Sequence, residues 1–147
     1  MRGRIAWLWV LRVLLAAVFA YAAVPKLLDP GEFALAIQNY KVLPDELAGY
    51  AALFVPVLEL VIALGLLLPS YQRGAACLAT LLLVVFSAAM AQARVRGIDL
   101  SCGCFGAVLD AKVSWLTVAR TLTLALLSGV VLFAGPPRAA EPATLGA

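Results

Sequence analysis

The segment LAGYAALFVPVLELVIALGLLL, residues 47–68, decides the fold class of this chain. It contains a single charged side chain, Glu59, in an otherwise almost wholly apolar run. A helix needs about 20 apolar residues to cross the hydrocarbon core of a bilayer, so the segment predicts a membrane-spanning helix. Three further runs of similar length predict three more spans, at residues 5–24, 74–93 and 113–134.

The composition of the whole chain agrees with this interpretation. Of its 147 residues, 65% are hydrophobic and 13% are charged, and the mean hydropathy is +1.03. A water-soluble domain of this length could not cover so much apolar surface. A backbone in lipid must also satisfy its own hydrogen bonds. We therefore predict an all-α membrane protein, an antiparallel four-helix bundle with one membrane domain at residues 1–134. Residues 135–147, rich in Pro, Ala and Gly, are predicted to be a disordered tail.

The first apolar run also has features of a secretory signal peptide. It has a basic start and a small-residue site at Ala20-Tyr21-Ala22. Against cleavage, Arg12 interrupts the run, and the run is long for the apolar region of a signal peptide. We therefore predict that this segment is retained as the first helix.

The basic residues do not favour either orientation in the membrane. One side would carry Arg2, Arg4, Arg73 and Arg138, and the other Lys26, Lys41, Arg94, Arg96 and Lys112. An even number of spans nevertheless places both termini on one side. The two longer loops, residues 26–46 and 94–112, then share the other side.

The first of these loops contains a helix signal of its own. Asp29 can cap a helix that has Pro30 at its first position and Glu32 three residues after the cap. Its apolar residues fall on one face at helical spacing: Phe33, Ile37 and Tyr40. We predict a short amphipathic helix at the membrane interface, ended near Pro44. An ordinary connecting helix without a functional role is the alternative.

Several classes of function are excluded by what the chain lacks. It contains no histidine, which removes His-ligated haem, most zinc and copper sites, and any Ser–His or Cys–His catalytic pair. No glycine-rich phosphate loop precedes a helix, and a net charge of +3 is ordinary for a membrane protein. The sequence therefore gives no support for nucleic-acid binding, and the chemistry left is that of thiols and intramembrane charges.

The segment GIDLSCGCFG, residues 97–106, places Cys102 and Cys104 on either side of Gly103. Cysteines two apart in a turning backbone can point the same way, and glycine tolerates the dihedral angles that so small a ring demands. A disulfide formed there would be strained, and strained disulfides tend to be oxidising and labile. We predict redox chemistry at this pair. A structural disulfide is one alternative, and a metal site completed by a second subunit is another.

The third cysteine, Cys77, lies about one turn into the third span. At 1.5 Å per residue it is about 24 Å from Cys102 along the membrane normal, too far to form a disulfide. We predict a buried residue that packs as a small apolar side chain.

Three charges fall inside the apolar runs: Arg12, Glu59 and Arg120. A charge in hydrocarbon needs a partner or access to water. We predict that Glu59 pairs with Arg12 or Arg120 across neighbouring helices. The pair either holds the bundle together or forms a polar floor under the cysteine loop, relaying protons or holding a quinone head group.

Four segments together resemble the MauE family of methylamine-utilisation membrane proteins, within the wider DoxX-like group. They are RVLLAAVFAYAAVPKLLDPGEFALAIQNYKVLP, VPVLELVIALGLLLP, RGIDLSCGCFG and VSWLTVART, between residues 12 and 121. The CGCFG element is the most specific. The resemblance implies a four-helix membrane protein tied to disulfide metabolism outside the cytoplasm. It carries over to these positions: Lys26, Tyr40, Pro44, Pro56, Glu59, Cys102, Cys104, Phe105, Gly106 and Arg120.

The same resemblance implies the partners: a thioredoxin-like periplasmic protein and a disulfide-containing exported client. A more distant likeness to vitamin K epoxide reductase-like proteins adds a quinone as a candidate cofactor, although those proteins use a CxxC pair. We predict a protein of the bacterial inner membrane with cytoplasmic termini. Its predicted function is thiol–disulfide oxidoreductase, or electron-transfer partner of one, through Cys102 and Cys104. A scaffold for an exported redox enzyme and a metal-handling protein are the alternatives.

Overall fold

The computed structural model describes residues 2–97 and 114–134. Within these ranges the chain forms helices and no strand: α1 (Arg2–Leu28), α2 (Pro30–Tyr40), α3 (Asp45–Leu67), α4 (Gln72–Val95) and α5 (Trp115–Ala134). Four stretches are long and apolar enough to cross a membrane, namely Ile5–Leu28, Asp45–Leu67, Gln72–Val95 and Trp115–Ala134. They confirm the predicted all-α fold with four long apolar helices. The predicted tail at residues 135–147 lies outside the described residues.

The first helix is longer than the sequence predicted. Proline lacks an amide hydrogen and usually ends a helix, yet α1 continues through Pro25 to Leu28. The Pro25 carbonyl accepts a hydrogen bond from the Asp29 N–H at 3.1 Å. The prediction of a loop at Lys26 was therefore wrong: Lys26 belongs to the last turn of α1 and is buried.

The spans pack as an antiparallel bundle. The largest interfaces join α1 to α3 and α4 to α5. Two contacts give the relative direction of α1 and α3: Arg12 meets Leu66, whereas Lys26 meets Glu59. The later residue of α1 meets the earlier residue of α3, so the two helices are antiparallel. A short turn at residues 68–71 then reverses the chain into α4.

The buried faces of α4 and α5 consist largely of small side chains, among them Ala76, Ala79, Ala125 and Ser128. Small residues let helix backbones approach closely, which favours packing in lipid, where no hydrophobic force drives helices together. The buried hydroxyl of Ser87 bonds within its own helix: Oγ donates to the Leu83 carbonyl at 2.8 Å. Large apolar side chains lie on the outside, such as Phe133, which is 84% exposed. That distribution suits a lipid environment.

The predicted helix in the first long loop is present as α2. The Asp29 carboxylate accepts a hydrogen bond from the Glu32 N–H at 2.9 Å, as the capping pattern predicted. The helix ends at Tyr40, and Lys41 follows with a left-handed φ of 53°. α2 packs along α3, and Gln38 Nε2 donates to the Asp45 carbonyl at 3.5 Å. Its placement at a membrane interface stays a prediction.

Candidate functional site

A buried ion pair joins α1 to α3. Lys26 Nζ lies 2.5 Å from Glu59 Oε1, and the two side chains are 2% and 3% exposed. Glu59 is 14 residues from the start of α3, about 21 Å at 1.5 Å per residue. The charges therefore meet deep in the bundle, where a lone ion would be costly.

Aromatic rings complete the surroundings of the Lys26 ammonium. Nζ is 5.1 Å from the centroid of the Phe33 ring on α2 and 5.4 Å from that of Phe86 on α4. Both distances are within the range of a cation–π interaction. The second carboxylate oxygen of Glu59, Oε2, is buried and has no hydrogen-bond partner among the described residues. Lys26 on α1 thus contacts three other helices: α3 through the Glu59 carboxylate, and α2 and α4 through the two rings.

The predicted partners of Glu59 were wrong. Arg12 donates from Nε to the Leu66 carbonyl at 2.7 Å, and its guanidinium lies 5.1 Å from the Trp9 ring. Arg120 is on the exposed side of α5. The reason is the length of α1. Because α1 extends past residue 24, Lys26 lies on this helix and forms the ion pair with Glu59 that we predicted for Arg12 or Arg120.

Arg12 instead caps the end of α3. Leu66 is the next-to-last residue of that helix, where carbonyls have no partner within the helix. A cation is also favoured at a helix C-terminus. The Arg12 side chain is buried, and its Nη2 has no hydrogen-bond partner among the described residues.

An apolar cleft of about 150 Å³ lies beside the ion pair, between α2, α3 and α4. The three residues predicted to share one face of α2 all line it: Phe33, Ile37 and Tyr40. Phe33 and Phe86 form the wall between this cleft and the Lys26 ammonium. Sequence reasoning missed Phe86, because a phenylalanine inside an apolar span carries no signal of its own.

The predicted reactive residues Cys102, Gly103, Cys104, Phe105 and Gly106 lie outside the described residues. The structure does show where the segment that contains these residues joins the bundle. α4 ends at Val95 and α5 begins at Trp115, and Met90 packs against Val118 just below these ends. The segment is therefore attached at the end of the bundle where α3 begins.

The prediction of a buried Cys77 was wrong. Its side chain is exposed on α4 and forms no disulfide. The buried face of that helix passes instead through its neighbours Ala75, Ala76 and Ala79. Cys77 therefore faces outwards from the bundle. Among residues 2–97 and 114–134, no three His, Cys, Asp or Glu side chains cluster closely enough to hold a metal ion.

Residues 5–134 match the family described as methylamine utilisation protein MauE. This range includes the buried ion pair, the cleft and both cysteines of the CxC element. The chain belongs to the MauE family. The family prediction is thereby confirmed, while membership in the wider DoxX-like group stays a prediction.

Three MauE relatives give the extent of the likeness. The chain is 42% identical to methylamine utilization protein MauE of Paracoccus denitrificans over 139 residues, which cover 94% of this chain and 74% of that protein. It is 40% identical to MauE of Paracoccus versutus over 82% of this chain and 65% of the relative. It is 43% identical to MauE of Methylorubrum extorquens over 78% of this chain and 62% of the relative. The chain thus spans roughly three fifths to three quarters of these relatives. No solved structure matches it.

Proposed function

We propose that this MauE-family protein serves methylamine utilisation by exchanging disulfides, through Cys102 and Cys104, with a thioredoxin-like protein outside the cytoplasm. The observation that carries the proposal is the Cys-Gly-Cys element between two spans of a chain that matches the MauE family. The relatives are named methylamine utilization proteins. The destination of the exchanged disulfides is an exported client protein.

The chemistry is a reversible two-electron exchange. A thiolate of the partner attacks one sulfur of the Cys102–Cys104 disulfide, the S–S bond breaks, and the other cysteine leaves as a thiolate. The second thiolate of the partner then attacks the mixed disulfide. The partner ends as a disulfide, and Cys102 and Cys104 end as a dithiol. Each exchange that oxidises the partner leaves Cys102 and Cys104 as a dithiol, which must be reoxidised before the next one. A membrane quinone would supply this by taking up two electrons and two protons to become a quinol while the Cys102–Cys104 disulfide re-forms.

The bundle supports this proposal by anchoring the reactive segment. Residues 96–114 join α4 to α5, which form one of the two largest helix interfaces. The four spans among the described residues place the start of α1 and the end of α5 on one side of the membrane, and we propose that this side is the cytoplasm. The cysteine segment then faces the exterior of the bacterial inner membrane, where disulfides form and persist.

The experiment is to trap the mixed disulfide in cells. We expect Cys102→Ser or Cys104→Ser, whichever removes the resolving thiol, to accumulate a higher-mass band that disappears on reduction. Removing both cysteines should abolish the band, and client maturation should fall to background. Cys77→Ser is the matched control and should behave as wild type, because Cys77 faces outwards from α4.

The same variants decide between redox and scaffold functions. Full client maturation in the double Cys102→Ser, Cys104→Ser variant would rule out the exchange and favour a scaffold that recruits the exported enzyme. Metal bound stoichiometrically to the reduced protein, and lost in the double variant, would favour metal handling instead.

A further inference from the structure

The apolar cleft between α2, α3 and α4 extends along the membrane normal. Near the start of α3 it is lined by Leu43 and Ala51, and further in by Val55 and Phe86. On α4 its lining runs from Met90 back to Leu82, eight residues or about 12 Å. The cleft is therefore elongated from the loop end of the bundle towards the bilayer interior.

The cleft reaches the outside of the bundle. Three of its lining side chains are also substantially exposed: Val42 at 44%, Leu43 at 38% and Val85 at 52%. All three are apolar residues on the outer surface of the bundle. A cavity open to the bilayer and lined by hydrocarbon admits an apolar chain, whereas it offers a polar head group almost nothing to bind.

The mouth of the cleft carries charges of both signs. Lys41 immediately precedes the lining residues Val42 and Leu43, and its side chain is exposed. Asp45 and Glu46, just beyond them at the start of α3, are exposed too. A head group that holds a phosphate and an ammonium together complements such a mouth better than a purely anionic one, since the two carboxylates would repel a net negative charge.

We propose that the cleft holds one acyl chain of a zwitterionic phospholipid, with its phosphate at Lys41 and its ammonium at Asp45 and Glu46. Phosphatidylethanolamine has this chemistry. The bound chain packs against Phe33 and Phe86, the rings that also enclose the Lys26 ammonium. The lipid thereby supports the two rings from the cleft side and fixes α2 against α4. This inference does not depend on the redox function of the cysteine pair.

Native mass spectrometry tests the proposal, because the retained mass identifies the lipid. The full-length protein is purified from vesicles of equal parts phosphatidylethanolamine and phosphatidylglycerol, with an isoprenoid quinone added. We expect wild type to retain one phosphatidylethanolamine. Ala89→Trp fills the cleft, since Ala89 lines it, and should lower retention by about tenfold or more. Ala88→Trp is the matched control, because Ala88 is the exposed neighbour on the same helix, and should retain the lipid.

A second variant keeps the test decisive if Ala89→Trp does not fold. Lys41→Gln removes the charge at the mouth without filling the cleft, and should lower phosphatidylethanolamine retention severalfold. Arg73→Gln, which removes a cation at the opposite end of the bundle, should not. Retention of phosphatidylglycerol or the quinone in preference to phosphatidylethanolamine would overturn the proposal. So would absence of any retained lipid, or equal retention by wild type, Ala89→Trp and Lys41→Gln.

Discussion

The Lys26–Glu59 pair shows how a charge is tolerated inside this bundle. Both side chains are almost wholly buried, and removing two ions from water costs several kcal/mol each before their attraction is counted. The pair therefore adds little net stability compared with apolar residues of the same shape. Removing only one of the two residues is strongly destabilising, because the remaining partner is left as an uncompensated charge. Its strongest physical consequence is the fixed alignment of α1 on α3.

Glu59→Gln should destabilise the protein by about 3 kcal/mol, because the Lys26 ammonium loses its counter-ion at depth. Exchanging the two residues in Lys26→Glu, Glu59→Lys should recover part of that loss. The measurement is the free energy of unfolding in a mixed-micelle titration. Glu32→Gln, at an exposed carboxylate on α2, is the control and should change stability by less than about 0.5 kcal/mol. If Glu59→Gln is as silent as Glu32→Gln, the pair has no structural role.

Arg12→Met should cost about 1–2 kcal/mol, since the Leu66 carbonyl loses its charged donor at the end of α3. Arg12→Lys should recover part of the loss, because an ammonium can also donate to a C-terminal carbonyl. Amide hydrogen exchange in the last turn of α3 checks this locally and should speed up in Arg12→Met. Unchanged protection of that turn would contradict the capping role.

The residue scale is also where sequence reasoning was least complete. That an intramembrane carboxylate needs a partner follows from the cost of a charge in hydrocarbon, and a partner is present. Its identity depended on the exact end of α1, which Pro25 concealed. The position of Phe86 beside Lys26 depends on how two distant helices pack, and no local pattern encodes that.

At the scale of elements, Gly65 lets α3 approach α4 closely beside Ala75. A Cβ atom built at Gly65 would lie 2.8 Å from the Cβ of Ala75. Non-bonded Cβ atoms are essentially never that close, so any side chain at residue 65 must push the two helices apart. Gly49 on the same helix has open space around it.

Gly65→Ala should therefore destabilise the protein by about 1–3 kcal/mol, the usual cost of overpacking. Gly49→Ala, the matched control, should be neutral or stabilising by up to about 1 kcal/mol, because alanine is the better helix former. In an Ala75→Gly background the clash is absent, and Gly65→Ala should become neutral or stabilising. The free energies of unfolding of these variants form a double-mutant cycle. A cycle with no coupling would contradict the close contact.

Most of the elements could be predicted from sequence, because apolar length alone identifies a span. The start of α2 could also be predicted from sequence, because Asp29, Pro30 and Glu32 form a local capping pattern. The structure contains the Asp29 cap. The cleft could be anticipated only in part. The helical spacing of Phe33, Ile37 and Tyr40 predicted its α2 face, but the opposing wall comes from α4, more than 40 residues later. Pairing of that kind is decided by tertiary packing.

At the scale of the whole molecule, the four spans among residues 2–97 and 114–134 place the cysteine segment on the side of the membrane opposite to the start of α1 and the end of α5. We expect a membrane-impermeant maleimide to label reduced Cys102 or Cys104 in intact cells. The protein should carry Cys77→Ser, so that the exposed thiol on α4 does not contribute. Labelling that appears only after the inner membrane is opened would place the segment in the cytoplasm and remove the oxidising compartment from the proposed function.

The most direct measurement is the oxidation state of Cys102 and Cys104 in living cells. Acid quenching followed by alkylation with a mass tag, in the Cys77→Ser background, counts the free thiols of this pair alone. Disulfide exchange predicts a disulfide fraction that falls during a reducing pulse and returns after the reductant is removed. Thiols that stay fully alkylatable throughout, or a disulfide that never responds, would contradict it.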